Sequence, residues 1–132
     1  MPFTGDEFPG ASLDAKWLWI NQGGASAAVA NGQLSLTAPS QGSDQLRFLY
    51  QGYTGALKVS AVISGASKTF TDYQGWGVAA RDSSSGKLLV FAFGISASAP
   101  AIRIMRFSSA TSFNSDRIGS GITRMTDLGG YL

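Results

Sequence analysis

Aromatic side chains beside polar ones are the residues of this chain whose types could do binding chemistry. Sugars present C–H faces that pack on aromatic rings, while carboxylate and amide side chains hydrogen-bond their hydroxyl groups. The residues with these properties, in or beside predicted loops, are Trp19, Tyr53, Asp72, Tyr73, Phe113 and Asn114. They form the set of candidate ligand-binding residues.

The aromatic residues also have a structural interpretation. Large rings dominate the interiors of β-proteins, so Trp17 and Trp76 are better interpreted as core residues than as binding platforms. Tyr53, Tyr73 and Phe113 have polar neighbours in the sequence. For these three, ligand binding and ordinary loop packing both stay open.

The residue types that most enzymes use are scarce. The chain has no histidine and no cysteine, which removes the commonest general base, the usual zinc ligand and thiolate chemistry. Glu7 is the only glutamate, and no predicted strand carries the facing pair of carboxylates that glycoside hydrolysis needs. We therefore predict that the protein is not an enzyme.

The acidic residues suggest turns more than metal ligands. Asp6 or Asp14, together with backbone carbonyls, could hold a structural calcium ion, which prefers several oxygen ligands. The acids do not cluster with the spacing of an EF-hand, so caps and turns are the preferred interpretation. Asp82 opens a Ser-rich connector and is interpreted as a turn former. We expect no cofactor.

The charge pattern does not indicate nucleic acid as a partner. Ten basic and eight acidic residues leave a net charge of +2. Arginines concentrate towards the C-terminus, at Arg103, Arg106, Arg117 and Arg124. They suit an anionic partner, but solvated strand edges are the preferred interpretation. No stretch approaches the roughly 18 apolar residues of a membrane span, and residues 1–10 do not resemble a signal peptide.

A predicted hairpin over residues 74–95 is the element around which the chain is organised. Apolar residues alternate on both sides of a polar connector at residues 82–87, the pattern of two antiparallel strands. Both faces of these strands are largely apolar. We therefore expect the hairpin to lie centrally and to be covered on each side.

Other short apolar runs predict further strands at spacings near ten residues. They cover residues 17–20, 25–30, 33–37, 45–50, 56–64, 101–107 and 122–125, with a long Ser-rich loop at 108–121. Asn31-Gly32 predicts a tight hairpin, after which Leu34 and Leu36 should point inward. This pattern predicts an all-β protein, an antiparallel β-sandwich or jelly roll. We expect one domain over residues 1–132 that lacks its last hairpin, supplied either by further sequence or by a partner.

Several motifs occur in an order that resembles a known family. They are Asp6-x-Phe8, Leu13-Asp14-x-x-Trp17, Asn31-Gly32-x-Leu34-x-Leu36, Tyr50-Gln51 and Gly75-Trp76-Gly77-Val78-x-x-Arg81-Asp82. The order resembles that of the concanavalin A-like lectin/glucanase jelly rolls, especially their laminin G-like modules. The resemblance implies a β-sandwich and a link to sugars, but a fold does not by itself define a function.

Two functional hypotheses follow. The first is a non-catalytic carbohydrate-binding module of an adhesin or phage virion appendage, which binds a glycan or cell-surface polysaccharide. The second is a structural virion assembly or decoration protein that contacts only other virion subunits or further copies of itself. Both place the protein in a virion or outside the cell, without membrane insertion. Glycan binding predicts exposed aromatics in one patch with polar groups, whereas assembly predicts an exposed apolar patch or an unpaired sheet edge.

Overall fold

The computed structural model describes residues 5–56, 58–62, 74–96, 99–116 and 123–124. These residues form antiparallel strands and contain no helix, which confirms the all-β prediction. Contacts within the chain group it into two compact units, Met1–Ser60 and Ala61–Leu132. The single sandwich domain over the whole chain stays a prediction.

The first unit contains two small strand pairs. Its strands are β1 (Leu18–Ile20), β2 (Ser26–Ala30), β3 (Gln33–Thr37) and β4 (Phe48–Tyr50). β1 pairs with β4, and β2 pairs with β3. Asn31 and Gly32 join β2 to β3 with φ angles of 53° and 71°, the left-handed backbone that a tight two-residue turn needs. The predicted hairpin at Asn31-Gly32 is therefore confirmed.

The second unit contains one antiparallel sheet. Its described strands are β5 (Gly75–Arg81), β6 (Leu88–Ser96), β7 (Ala99–Ser109), β8 (Ser112–Asp116) and β9 (Thr123–Arg124). The order is β5-β6-β7-β8, and β9 pairs with another part of β7. β5 and β6 form the predicted central hairpin. Among the described residues, however, β5 lies at the edge of the sheet, so only β6 is central as expected.

The two faces of this sheet differ in exposure. Leu88, Val90 and Ala92 of β6 are buried on one face. Phe91 and Phe93, which alternate with them, are 42% and 36% exposed on the other. The expectation that the hairpin is covered on both sides is therefore wrong for this face. Both parities of β6 are apolar, so the alternation of residue types could not show which face is buried.

Three local predictions were also wrong. Residues 58–62, expected in a strand, belong to no strand, and Val59 is 50% exposed. Leu36 is 51% exposed, whereas Leu34 is half-buried. The predicted Ser-rich loop contains β8, which pairs with β7 around the contact between Phe113 and Phe107. Strand pairing depends on distant partners, which a local pattern does not identify.

Candidate functional site

The candidate residues of the first unit differ in exposure. Trp19 lies on β1 opposite Leu49 and is half-buried. Tyr53 is 40% exposed, and its hydroxyl donates a hydrogen bond to the backbone oxygen of Ala56 over 2.9 Å. The ring of Tyr53 is thus presented to solvent while its hydroxyl hydrogen is already used.

The two candidate residues of the second unit that the structure describes, Phe113 and Asn114, are neighbours on β8. The half-buried Phe113 ring packs edge to face on Phe107, with ring centroids 5.5 Å apart, and Arg103 Cζ lies 5.7 Å from its centroid. The exposed Asn114 Nδ2 donates to Ser108 Oγ over 3.4 Å. The Phe113 ring is therefore already in contact with two protein groups, Phe107 and Arg103.

One glycan site built from all the candidates stays a prediction. Trp19 and Tyr53 belong to the first unit, and Phe113 and Asn114 belong to the second. Asp72 and Tyr73 lie outside the described residues. Of the described candidates, Phe113 and Asn114 are adjacent residues on one strand.

An apolar surface on the sheet of the second unit was not anticipated. We call it the apolar face; it is formed by Trp76, Val78, Phe91, Phe93, Ile102 and Ile104. Strand register places its members in two rows across β5, β6 and β7, one through Phe93 and one through Phe91. Val78 is 38% exposed, close to the exposure of the two phenylalanines. Because alternating aromatics are also typical of a core, the sequence signal predicted burial instead.

Charge is found at the margin of the apolar face. Arg106 pairs with Leu89 in the register of β6 and β7, one row beyond Phe91. Its Nε donates to Ser115 Oγ of β8 over 3.1 Å. The six residues of the apolar face carry no charged side chain themselves. The surface is therefore suited to apolar contact more than to a charged ligand.

An open cleft of about 520 Å³ lies near the start of the described chain. Within it, Asp6 accepts hydrogen bonds from Trp17 Nε1 and from the backbone N–H of Phe8, both over 2.8 Å, and pairs with Lys16 Nζ at 3.2 Å. The bond from Trp17 and then that from Phe8 hold the pKa of Asp6 below its ordinary value. Asp14 accepts from the backbone N–H of Lys16. These contacts confirm that both acids stabilise local turns, and the calcium site stays a prediction.

Asp82 organises the connector between β5 and β6. Its carboxylate accepts from the hydroxyl of Ser85 over 2.5 Å and from the hydroxyl and backbone N–H of Ser84. The Ser85 bond, followed by the Ser84 bonds, lowers the pKa of Asp82 to about 2. The turn-former interpretation is confirmed. Ser84 and Lys87 have the Ser-x-x-Lys spacing that supplies the serine nucleophile in some enzymes, which the sequence analysis did not identify. In the structure, however, the Ser84 hydroxyl donates its hydrogen to Asp82.

Among the described residues, no helix has the length and apolar character needed to cross a membrane. Comparisons with protein-family models, curated proteins and solved structures find no match to this chain. The resemblance to concanavalin A-like modules therefore stays a prediction. What the chain does has to be inferred from its own residues.

Proposed function

We propose that this chain is a non-catalytic assembly module that contacts a second copy of itself through the apolar face. The observation that carries this proposal is the simultaneous exposure of Val78, Phe91 and Phe93 on one side of a single sheet. Such a module would serve in a particle built from repeated subunits, such as a virion. The contacts would involve protein only.

A second copy suits this surface because its six residues are apolar and uncharged. In a two-fold symmetric contact the same patch meets itself, so each apolar residue finds apolar neighbours without any complementary charge. Sheets pack face to face about 10 Å apart, with side chains interdigitating. A net charge of +2 per chain gives little repulsion between copies. A β-sandwich would then form between the two copies.

The exposed area predicts a weak contact. At side-chain areas of roughly 150–200 Å², exposures of 36–42% leave roughly 200 Å² on Val78, Phe91 and Phe93 together. A stable interface usually buries about 800 Å² on each partner. We therefore expect association in the micromolar range or weaker, which repetition within a particle would strengthen.

Sedimentation equilibrium tests this proposal. We expect the mass of the unmodified protein to rise from monomer towards dimer between about 1 µM and about 1 mM. Val78→Lys, which puts a charge into the apolar face, should remove this rise. Leu36→Lys is the matched control, because Leu36 is 51% exposed on β3 but lies outside the apolar face. A monomer at every concentration, or equal loss with both variants, would refute self-association.

Glycan binding is the second candidate, supported by aromatic rings that reach solvent. Tyr53 is 40% exposed, and the rings of Phe91 and Phe93 are exposed to similar degrees. A glycan array comparing the unmodified protein with Tyr53→Ala tests it directly. A monomeric sample that binds a glycan selectively, and loses that binding on substitution, would favour recognition of a cell-surface polysaccharide over assembly.

A further inference from the structure

A tight turn in the first unit lies against the guanidinium of Arg47. The backbone N–H of Ala25 donates to the backbone oxygen of Gln22 over 2.8 Å, which closes the turn. Gly23, its first central residue, has a φ of 50°, in the left-handed region that favours glycine. Arg47 Nη1 donates to the same oxygen of Gln22 over 2.6 Å. The arginine and the turn therefore share one acceptor.

The missing side chain of Gly23 makes room for this guanidinium. A Cβ atom on Gly23 would lie 2.7 Å from Arg47 Cζ and 3.0 Å from Nη2, closer than carbon and nitrogen atoms pack. At Gly24 the nearest atom to such a Cβ would be Pro39 Cγ, at an ordinary contact distance of 3.4 Å. The position of the guanidinium thus depends on glycine at position 23 and not on glycine at position 24.

The charge of Arg47 is not balanced by a carboxylate of the protein. Across the described residues, no Asp or Glu forms an ion pair with it. Its Nε is enclosed by protein and has no hydrogen-bond partner. A charged donor that is enclosed without a partner is costly, and a nearby negative charge lowers this cost. Arg47 is half-buried and its bond to Gln22 is exposed, so an anion can approach its Nη1 and Nη2 atoms from solvent.

The turn adds backbone donors beside the guanidinium. Gly23 and Gly24 are both exposed. In the part of the chain that the structure describes, neither of their N–H groups donates to a protein acceptor. Arginine and backbone N–H groups are donors only, whereas a carboxylate is an acceptor only. The turn and Arg47 together are therefore suited to an anion with oxygen acceptors.

We propose that Arg47 and the backbone N–H groups of Gly23 and Gly24 form a binding site for a carboxylate, carried by a small organic anion or by a sugar acid. A carboxylate brings one negative charge to one guanidinium, and its two oxygens match the planar fork of arginine. The site uses residues of the first unit alone. It goes beyond self-association through the apolar face and stands if self-association fails.

An NMR titration of the unmodified, nitrogen-15-labelled protein with sodium acetate tests the site without any variant. Sodium chloride at equal ionic strength, near neutral pH, is the control for general salt effects. We expect the amide resonances of Gly23 and Gly24 to shift saturably, with a dissociation constant on the order of 10 mM for one exposed charge pair. Shifts that equal those in chloride, or that do not saturate by about 200 mM, would overturn the proposal.

Glucuronate and glucose separate the two sources of the carboxylate. Glucuronate that binds at least about tenfold more tightly than acetate would identify a sugar acid, because the sugar ring then adds contacts of its own. Equal affinities would identify the carboxylate group alone as the ligand. Glucose that binds as tightly as glucuronate would overturn the proposal, because the carboxylate would then contribute nothing.

Two pairs of variants test the named residues by the same acetate titration. Arg47→Lys keeps the charge but removes the fork, and Gly23→Ala displaces the guanidinium; each should weaken acetate binding at least about tenfold. Arg81→Lys is the control for the first, because Arg81 Nη2 also lies beside a glycine with positive φ, 3.5 Å from the Cβ position of Gly86. Gly24→Ala is the control for the second. Both controls should bind within about twofold of the unmodified protein.

The outcome separates a binding site from a purely structural clamp. A clamp between Arg47 and Gln22 predicts that Arg47→Lys lowers the urea midpoint while no sample responds to acetate. Equal weakening by a variant and its control would also overturn the proposal. These measurements do not depend on the sedimentation result, so the two proposals fail separately.

Discussion

Val90 and Phe91 are neighbours in β6 whose substitution should affect different properties. Val90 is 6% exposed on the buried face, and Phe91 is 42% exposed on the apolar face. Val90→Ala removes the equivalent of two buried methylene groups, about 1.6 kcal/mol at 0.8 kcal/mol each, and leaves a cavity. We expect it to lower the free energy of unfolding by about 2 kcal/mol and to leave association of the folded protein unchanged.

Phe91→Lys should act mainly on association. At a side-chain area of about 200 Å², an exposure of 42% leaves about 80 Å² of ring on each copy, or about 160 Å² in a symmetric dimer. At 25 cal/mol per Å² this is at most about 4 kcal/mol, or about a thousandfold in the dissociation constant. The lysine stem still covers neighbouring apolar surface within the sheet, which limits the loss of folding stability.

The assay combines urea unfolding of dilute samples with sedimentation of concentrated samples for both variants. The expected pattern is a lower urea midpoint for Val90→Ala with unchanged association, and loss of association for Phe91→Lys. If both variants lowered the urea midpoint equally and Phe91→Lys left association unchanged, the apolar face would not be an interface. A loss of association with Val90→Ala in a fully folded sample would contradict the assignment of the two faces.

Three further predictions concern single residues. Asp82→Asn should lower stability at neutral pH. The pKa of Asp82 is depressed to about 2 from 3.8, so its contribution to stability is present above pH 3.8 and is lost as the pH falls towards 2. Over that pH window the urea midpoint of the variant should therefore change less than the urea midpoint of the unmodified protein. Asp6→Asn should likewise lower stability at neutral pH, because the pKa of Asp6 is also depressed. The variant should also shift the fluorescence of Trp17, because it alters the hydrogen-bond partner of the indole N–H. Unchanged Trp17 emission would contradict the observed bond. Gly77→Ala should lower the free energy of unfolding by about 1–3 kcal/mol, because the alanine Cβ would overlap the backbone of β6 at Phe91. A urea midpoint equal to that of the unmodified protein would refute the close approach of the β5 and β6 backbones at this position.

Local chemistry explains what the sequence predicted well. The Asn31-Gly32 turn follows from residues that tolerate positive φ, and the 82–87 connector follows from a carboxylate that bonds to nearby serines. Both depend on neighbours within a few positions. For this reason the two hairpins, and with them the all-β antiparallel class, could be derived without a structure.

Non-local pairing and burial explain what the sequence could not predict. The serines of β8 gave no strand signal, yet Phe113 meets Phe107 across the sheet. Phe91 and Val90 are both apolar, so their alternation did not show which one reaches solvent. The aromatic binding candidates lie in or beside predicted loops. The apolar face was missed because its aromatics lie on predicted core strands.

The interior position of β6 also determines how this protein is expected to fail when it is damaged. Leu88 to Ile95 form an uncharged apolar run without proline, the kind of segment that stacks into cross-β aggregates once it is exposed. β5 and β7 use the hydrogen-bonding groups on its two sides. Substitutions that loosen either neighbour should therefore remove the protein from solution as aggregate instead of leaving a refoldable unfolded chain. In a particle built from many copies, a few damaged subunits could then recruit others through this strand.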